Sequence, residues 1–234
     1  MEGYALPDDM PLWRRHLDPD GYGYGWLLVL ILVGLGFGLG APDDPWARVV
    51  ALALQSATVL AALRVSGAHP YIVRAASIAV VVAIVGSAGV FISAGEVGKV
   101  AARAVGLMLV LLAPAAIIHG IVRQARISGV MTVRTMFGVL CVYLLIGVGF
   151  AFAYGLVSAA QDGQFFAQMR GGDHADFLYF SFASLTTTGF GDLTAVNHLG
   201  RSLAVTEVLV GQIYLVTVVA LIVSKMARPP RPDE

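Results

Sequence analysis

The chain has 234 residues, of which 58% are hydrophobic and only 13% charged, with a mean hydropathy of +0.80 and no net charge at neutral pH. A water-facing domain carries about 25% charged residues, so this composition excludes a soluble globule and makes lipid the natural solvent. Zero net charge removes any general electrostatic case for nucleic acid, and the single cysteine, Cys141, excludes a disulfide within the chain and reads as buried packing.

A helix needs about 20 apolar residues to cross the hydrocarbon core. Six stretches come close to that requirement: 24–40, 46–63, 71–93, 97–121, 136–157 and 201–224. The first is short and rich in glycine. Asp18 and Asp20 stand just before it, which argues against a secretory leader, and Gly34, Gly36, Gly38 and Gly40 favour close helix packing. A cytoplasmic N-terminus puts Arg14, Arg15, Arg64, Arg74, Arg123, Arg126, Arg134, Lys225, Arg228 and Arg231 on the inner side. Arg48, Lys99, Arg103, Arg170 and Arg201 fall outside, among most of the loop carboxylates. The positive-inside rule favours this orientation, with both termini cytoplasmic and the segment between spans five and six facing outward.

Sensing voltage takes several charges crossing the field, each worth about 2.3 kcal/mol per 100 mV. The fourth span has Lys99 and Arg103 near one end and Arg123 and Arg126 beyond the other, with no arginine repeating through its middle. The first four spans therefore read as a scaffold without strong voltage sensing. The basic stretch Arg123, Arg126 and Arg134 can lie along the inner leaflet and meet anionic lipid, or form an ordinary positive-inside loop.

The outward segment contains an apolar run, Asp176 to Thr187, that is not a span. As a helix of about 12 residues it reaches only about 18 Å, which suits a helix that enters and leaves by one face. Asp173 or Asp176 can cap it. It breaks into Thr186, Thr187, Thr188, Gly189, Phe190, Gly191 and Asp192, and a long apolar helix follows. Irregular backbone at membrane depth is tolerated where it is buried in protein or lines a water-filled space. There its carbonyls can coordinate a dehydrated cation, with Gly189 and Gly191 free to take positive φ and the Thr187 hydroxyl adding an oxygen. The negative C-terminal end of the short helix favours a cation at that point.

Thr187-Thr188-Gly189-Phe190-Gly191-Asp192 resembles the potassium-channel signature, Thr-x-Gly-(Tyr/Phe)-Gly-Asp, and the likeness covers the helix–filter–helix unit from Asp173 to Ser224. The resemblance implies an all-α membrane protein with six transmembrane helices and a re-entrant pore helix and filter loop between helices five and six. The chain then divides into an N-terminal arm (1–23), a four-helix scaffold (24–122), a basic linker (123–135), a pore domain (136–224) and a cytoplasmic tail (225–234). The resemblance further implies passive K+ conduction through a homotetramer, with K+ held at Thr187, Thr188, Gly189, Phe190 and Gly191. It implies no enzymatic activity and no cofactor other than the permeant ion. A non-selective monovalent cation channel is the alternative, and a secondary transporter a more remote one.

Two departures bear on the filter. Many members carry a Glu in the pore helix that braces the filter's Asp, and the matching position here is Ala183. Thr186, Asp192 and Glu207 are the expected filter supports, with Ser181 or Thr186 as partners for the intramembrane carboxyl of Glu207. Phe190 replaces the commoner Tyr and Thr188 the commoner Val, which predicts easier filter collapse at low potassium. On the last helix, Gly211 stands where many members have a hinge glycine, or merely permits close packing. With Gly211 near the axis, Gln212, Leu215 and Val219 would share a cavity-facing side. Abundant alanine and an excess of arginine over lysine fit a GC-rich bacterial genome.

Overall fold

The computed structural model describes residues 23–42, 44–67, 71, 74, 77–78, 106–108, 110–122, 133–161, 164–220 and 224. These residues are helical almost throughout and contain no β-strand. We number the helices α1 (Tyr24–Gly40), α2 (Pro45–Val65), α3 (Gly106–Val122), α4 (Val133–Ala160), α5 (His174–Leu185) and α6 (His198–Ile213). A π-helical turn, Tyr214–Val219, continues α6. Arg123 and Arg126, most of span 71–93, and the arm and tail lie outside the described residues. So do the side chains of Arg134 and Val219.

Among the described residues two helices are long and apolar enough to cross a bilayer, Thr135–Ala160 and His198–Val218. The helix containing the first, α4, runs about a turn past each predicted end of span five, and Thr135 and Ser158 are buried there. The second starts three residues earlier than predicted. Asn197 caps it there, its Oδ1 accepting the Gly200 N–H at 2.5 Å. α1 spans the predicted residues. It buries Tyr24, Leu27 and Ile31 on one side and leaves Trp26, Leu32 and Val33 at least half exposed on the other. A helix that is apolar all round belongs in a core or in lipid.

The helices share two adjoining cores. Tyr24, Leu27 and Ile31 of α1 meet Val59, Ala62 and Leu63 of α2, Ala113 and Ile117 of α3, and Cys141, Val142 and Leu145 of α4. Cys141 is a free, buried thiol, its Sγ 3.6 Å from the Tyr24 carbonyl. The second core is aromatic. Tyr154, Phe165, Phe166, Phe177 and Phe180 pack edge-to-face, tilted and, for Phe166 with Phe177, stacked, with centroids 5.0 to 5.8 Å apart. This cluster fixes α5 against the C-terminal end of α4. α1 also packs directly on α5, so the N-terminal part of the chain reaches the short helix itself.

Candidate functional site: the loop after α5

α5 starts on a reciprocal cap. Asp173 Oδ1 accepts the Asp176 N–H at 2.8 Å, and Asp176 Oδ2 accepts the Asp173 N–H at 3.0 Å. Both predicted caps therefore act together. Helical geometry ends at Leu185, with Thr186 as C-cap. The next N–H groups fold back on the last carbonyls of α5. Thr186 donates to Phe182 at 3.1 Å, Thr187 to Ser184 at 2.8 Å and Gly189 to Ala183 at 3.0 Å.

The dihedrals beyond that point alternate. Thr187, Gly189 and Gly191 have φ of 60°, 55° and 81°, while Thr188 and Phe190 keep the negative φ usual for side-chain-bearing residues. Alternating left- and right-handed residues turn N–H groups to one side of the chain and carbonyls to the other. The N–H groups of Thr187 and Gly189 are tied to α5, and residues 186–192 are exposed. Positive φ at a β-branched residue is uncommon and strained, and sequence reasoning assigned it to the two glycines alone. The Thr187 hydroxyl has no hydrogen-bond partner among the described residues. Those of Thr186 and Thr188 lie 2.8 Å apart, and Thr186 also donates to the Phe182 carbonyl at 2.6 Å.

The Asp192 carboxylate is braced by a residue that sequence reasoning missed. Tyr179, one turn before Ala183 on α5, donates its hydroxyl to Asp192 Oδ2 at 2.7 Å, while the Leu193 N–H reaches Oδ1 at 3.0 Å. The bond to Asp192 holds the Tyr179 phenol above its usual pKa. Phe190, 68% exposed, lies flat along the same ring, centroid 5.9 Å away and 9° from parallel. Tyr179 thus supports the loop twice, by a hydrogen bond and by stacking.

Glu207 of α6 is fully buried behind the loop. Its Oε2 accepts the Tyr154 hydroxyl of α4 at 2.5 Å, and its Oε1 lies 2.5 Å from Ser181 Oγ of α5. Ser181 is the predicted partner; Thr186 is not, because its hydroxyl is engaged within the loop. Tyr154 was not foreseen. Gly211, one turn on, faces the end of α5. A Cβ there would stand 2.6 Å from Leu185 Cδ1 and 3.1 Å from the Leu185 carbonyl oxygen. The glycine therefore serves close approach, and the break in α-helical regularity lies in the following turn, Tyr214–Val219. Tyr214 pins that turn to α4 through the Val139 carbonyl at 2.8 Å and by stacking on Tyr143. Tyr143 in turn donates to the Leu185 carbonyl at 3.2 Å. Gln212 and Leu215 are on the uncovered side of the last helix.

A collar joins the segments on either side of α5 and the loop. Phe166 pairs antiparallel with Ala195, and Gln168 bonds both the hydroxyl and the N–H of Thr194 at 3.0 Å. Asn197 reaches back to Gln161, and Arg201 donates to the Ala195 carbonyl at 3.0 Å. The segments before α5 and after the loop are thereby joined, and the loop hangs between two fixed points. Among the described residues no cluster of His, Cys, Asp or Glu is arranged to hold a metal ion.

No curated protein matches the chain. Residues 138–228, which run from the first turns of α4 past the end of the last helix, match the family model described as "Ion channel". Two apolar helices of spanning length flanking a short helix and an exposed loop agree with that match.

Proposed function

We propose that the chain is one subunit of a homotetrameric potassium channel, with residues 187–191 as its selectivity filter and α5 as its re-entrant pore helix. The observation that carries the reading is the alternation of φ at Thr187, Gly189 and Gly191, with the N–H groups of Thr187 and Gly189 bound to α5. That backbone presents a row of carbonyls to whatever lies on the open side, and carbonyl rings replace the hydration shell of K+. One chain offers one such row, and a closed ring of four is the simplest way to surround an ion. α6 leaves Val205, Leu209, Val210, Ile213 and Val216 exposed, an apolar flank suited to neighbouring copies and lipid.

The six-span topology, cytoplasmic termini, weak voltage dependence and contact of Arg123, Arg126 and Arg134 with anionic lipid belong to the same proposal. So does the division into arm, scaffold, linker, pore domain and tail. Glu207, Asp192 and Thr186 act as filter supports in it, and Gln212, Leu215 and Val219 line the inner cavity. Gly211 holds α6 against α5, and bending of the inner helix falls at the π-helical turn beyond it.

Flux from proteoliposomes loaded with KCl or NaCl tests the reading. K+ efflux without comparable Na+ efflux, lost in Gly189→Ala, is the expected result. Equal fluxes of the two ions would assign a non-selective cation channel instead, and flux that survives Gly189→Ala would place the pathway elsewhere.

A further inference from the structure

The contacts around Glu207 form a chain of five oxygens on four residues, whose hydrogens can be counted. Tyr154 Oη lies 2.5 Å from Glu207 Oε2, Glu207 Oε1 lies 2.5 Å from Ser181 Oγ, and Ser181 Oγ lies 2.7 Å from the Gly147 carbonyl oxygen. Each of these three separations requires a hydrogen between the oxygens, because two bare lone pairs repel at such distances. The Tyr154 and Ser181 hydroxyls supply one hydrogen each. The Gly147 carbonyl accepts only, so the Ser181 hydrogen must point to it. The Tyr154 hydrogen points to Oε2. Nothing is then left to fill the gap between Oε1 and Ser181 Oγ except a proton on the carboxyl itself.

We infer that Glu207 is a neutral carboxylic acid that donates from Oε1 to Ser181, completing a directed relay from Tyr154 through Glu207 and Ser181 to Gly147. Burial agrees with this. Glu207 and Ser181 are fully enclosed, and Tyr154 sits within the aromatic core. Among the described residues the groups facing the carboxyl are Tyr154 and Tyr143 of α4 and Ser181 of α5, with no cation. An ionised carboxylate at this depth would lack the charged partner that such groups require. A neutral acid needs none and satisfies every polar atom of the relay.

The consequence is positional. One hydrogen-bonded line joins α4 at Gly147 and Tyr154, α5 at Ser181, and α6 at Glu207. The short helix carries the exposed loop, and its midpoint is thereby pinned to both long helices. Glu207 acts through Ser181, as a positioning residue. A neutral relay is undisturbed by ions passing nearby, since it adds no fixed charge behind the loop.

Infrared difference spectroscopy of the detergent-solubilised full chain tests this without requiring that any ion move, so its failure would leave the channel reading in place and the reverse also holds. Wild type minus Glu207→Gln, at neutral pH, should show the carbonyl stretch of a protonated carboxylic acid. Tyr154→Phe should shift that band upward in frequency, because Oε2 loses its donor. Glu207→Gln can reproduce the donor and acceptor pattern, its amide N–H donating to Ser181 and its oxygen accepting from Tyr154. It should therefore melt with wild type, while Glu207→Ala melts lower by roughly 5 °C or more. A carboxylate band in place of the acid band would overturn the inference. So would an acid band indifferent to Tyr154→Phe, or a Gln variant that melts as low as the Ala variant.

Discussion

Tyr179 and Asp192 show at the residue scale how a missing side chain is replaced. Sequence reasoning expected Glu207 as the brace, but Glu207 bonds Tyr154 and Ser181; Ala183 stands where many potassium channels carry a bracing acid, and the brace is not at that position. It lies one helical turn earlier, where a tyrosine is long enough to reach over the loop. Tyr179→Phe removes the bond and keeps the stacking on Phe190, so the filter should inactivate faster in low external potassium; recordings during potassium withdrawal check this. The phenol's raised pKa means that the folded state favours the protonated form, so this contribution holds below the ordinary tyrosine range and is lost as pH rises through the higher, folded-state value. Inactivation should therefore be unchanged from neutral to mildly alkaline pH. The glycine positions were legible because positive φ needs them. Thr187 was not, because β-branched residues avoid that region and only the context of α5 forces it there.

The short apolar run at the scale of the element was legible as a helix too short to cross, with Asp173 and Asp176 at its start. Its reciprocal cap gives a direct prediction. Asp173→Ala should cost about 0.5–2 kcal/mol of stability, read as a lower melting temperature of the solubilised protein. The ends of α4 and α6 were read short because capping by Asn197 and the burial of Thr135 and Ser158 depend on partners distant in sequence. Glu207 was legible as a buried carboxyl with Ser181 as partner. Tyr154 was not, since 53 positions separate it from Glu207 and only the rotation of α4 against α6 brings them together. The π-helical turn leaves no mark in its sequence, Tyr-Leu-Val-Thr-Val-Val. Gly211 was ambiguous between bending and close packing, and the approach of Leu185 favours packing. Gly211→Ala should therefore act as an overpacking change costing about 1–3 kcal/mol. Lower thermal stability, restored in part by Leu185→Val, is the expected sign; a destabilisation that Leu185→Val leaves untouched would argue against packing.

At the scale of the whole molecule, the sequence displays its apolar stretches, while the arrangement of the first helices was beyond it. α1 packs on α5 as well as on α2 and α4, so the N-terminal scaffold touches the short helix without an intervening linker. Gly38 sits at that contact, where a Cβ would stand 2.8 Å from Leu178 Cδ1. Gly38→Leu should change channel activity by displacing α5, measurable as altered open probability in bilayer recordings. The central claim concerns the carbonyl row at residues 187–191, and ion discrimination reports on it most directly. Planar-bilayer recording of the purified protein, with potassium on one side and sodium on the other, should give a reversal potential close to that of a potassium electrode. A reversal near zero, or the absence of current under every condition, would contradict the account.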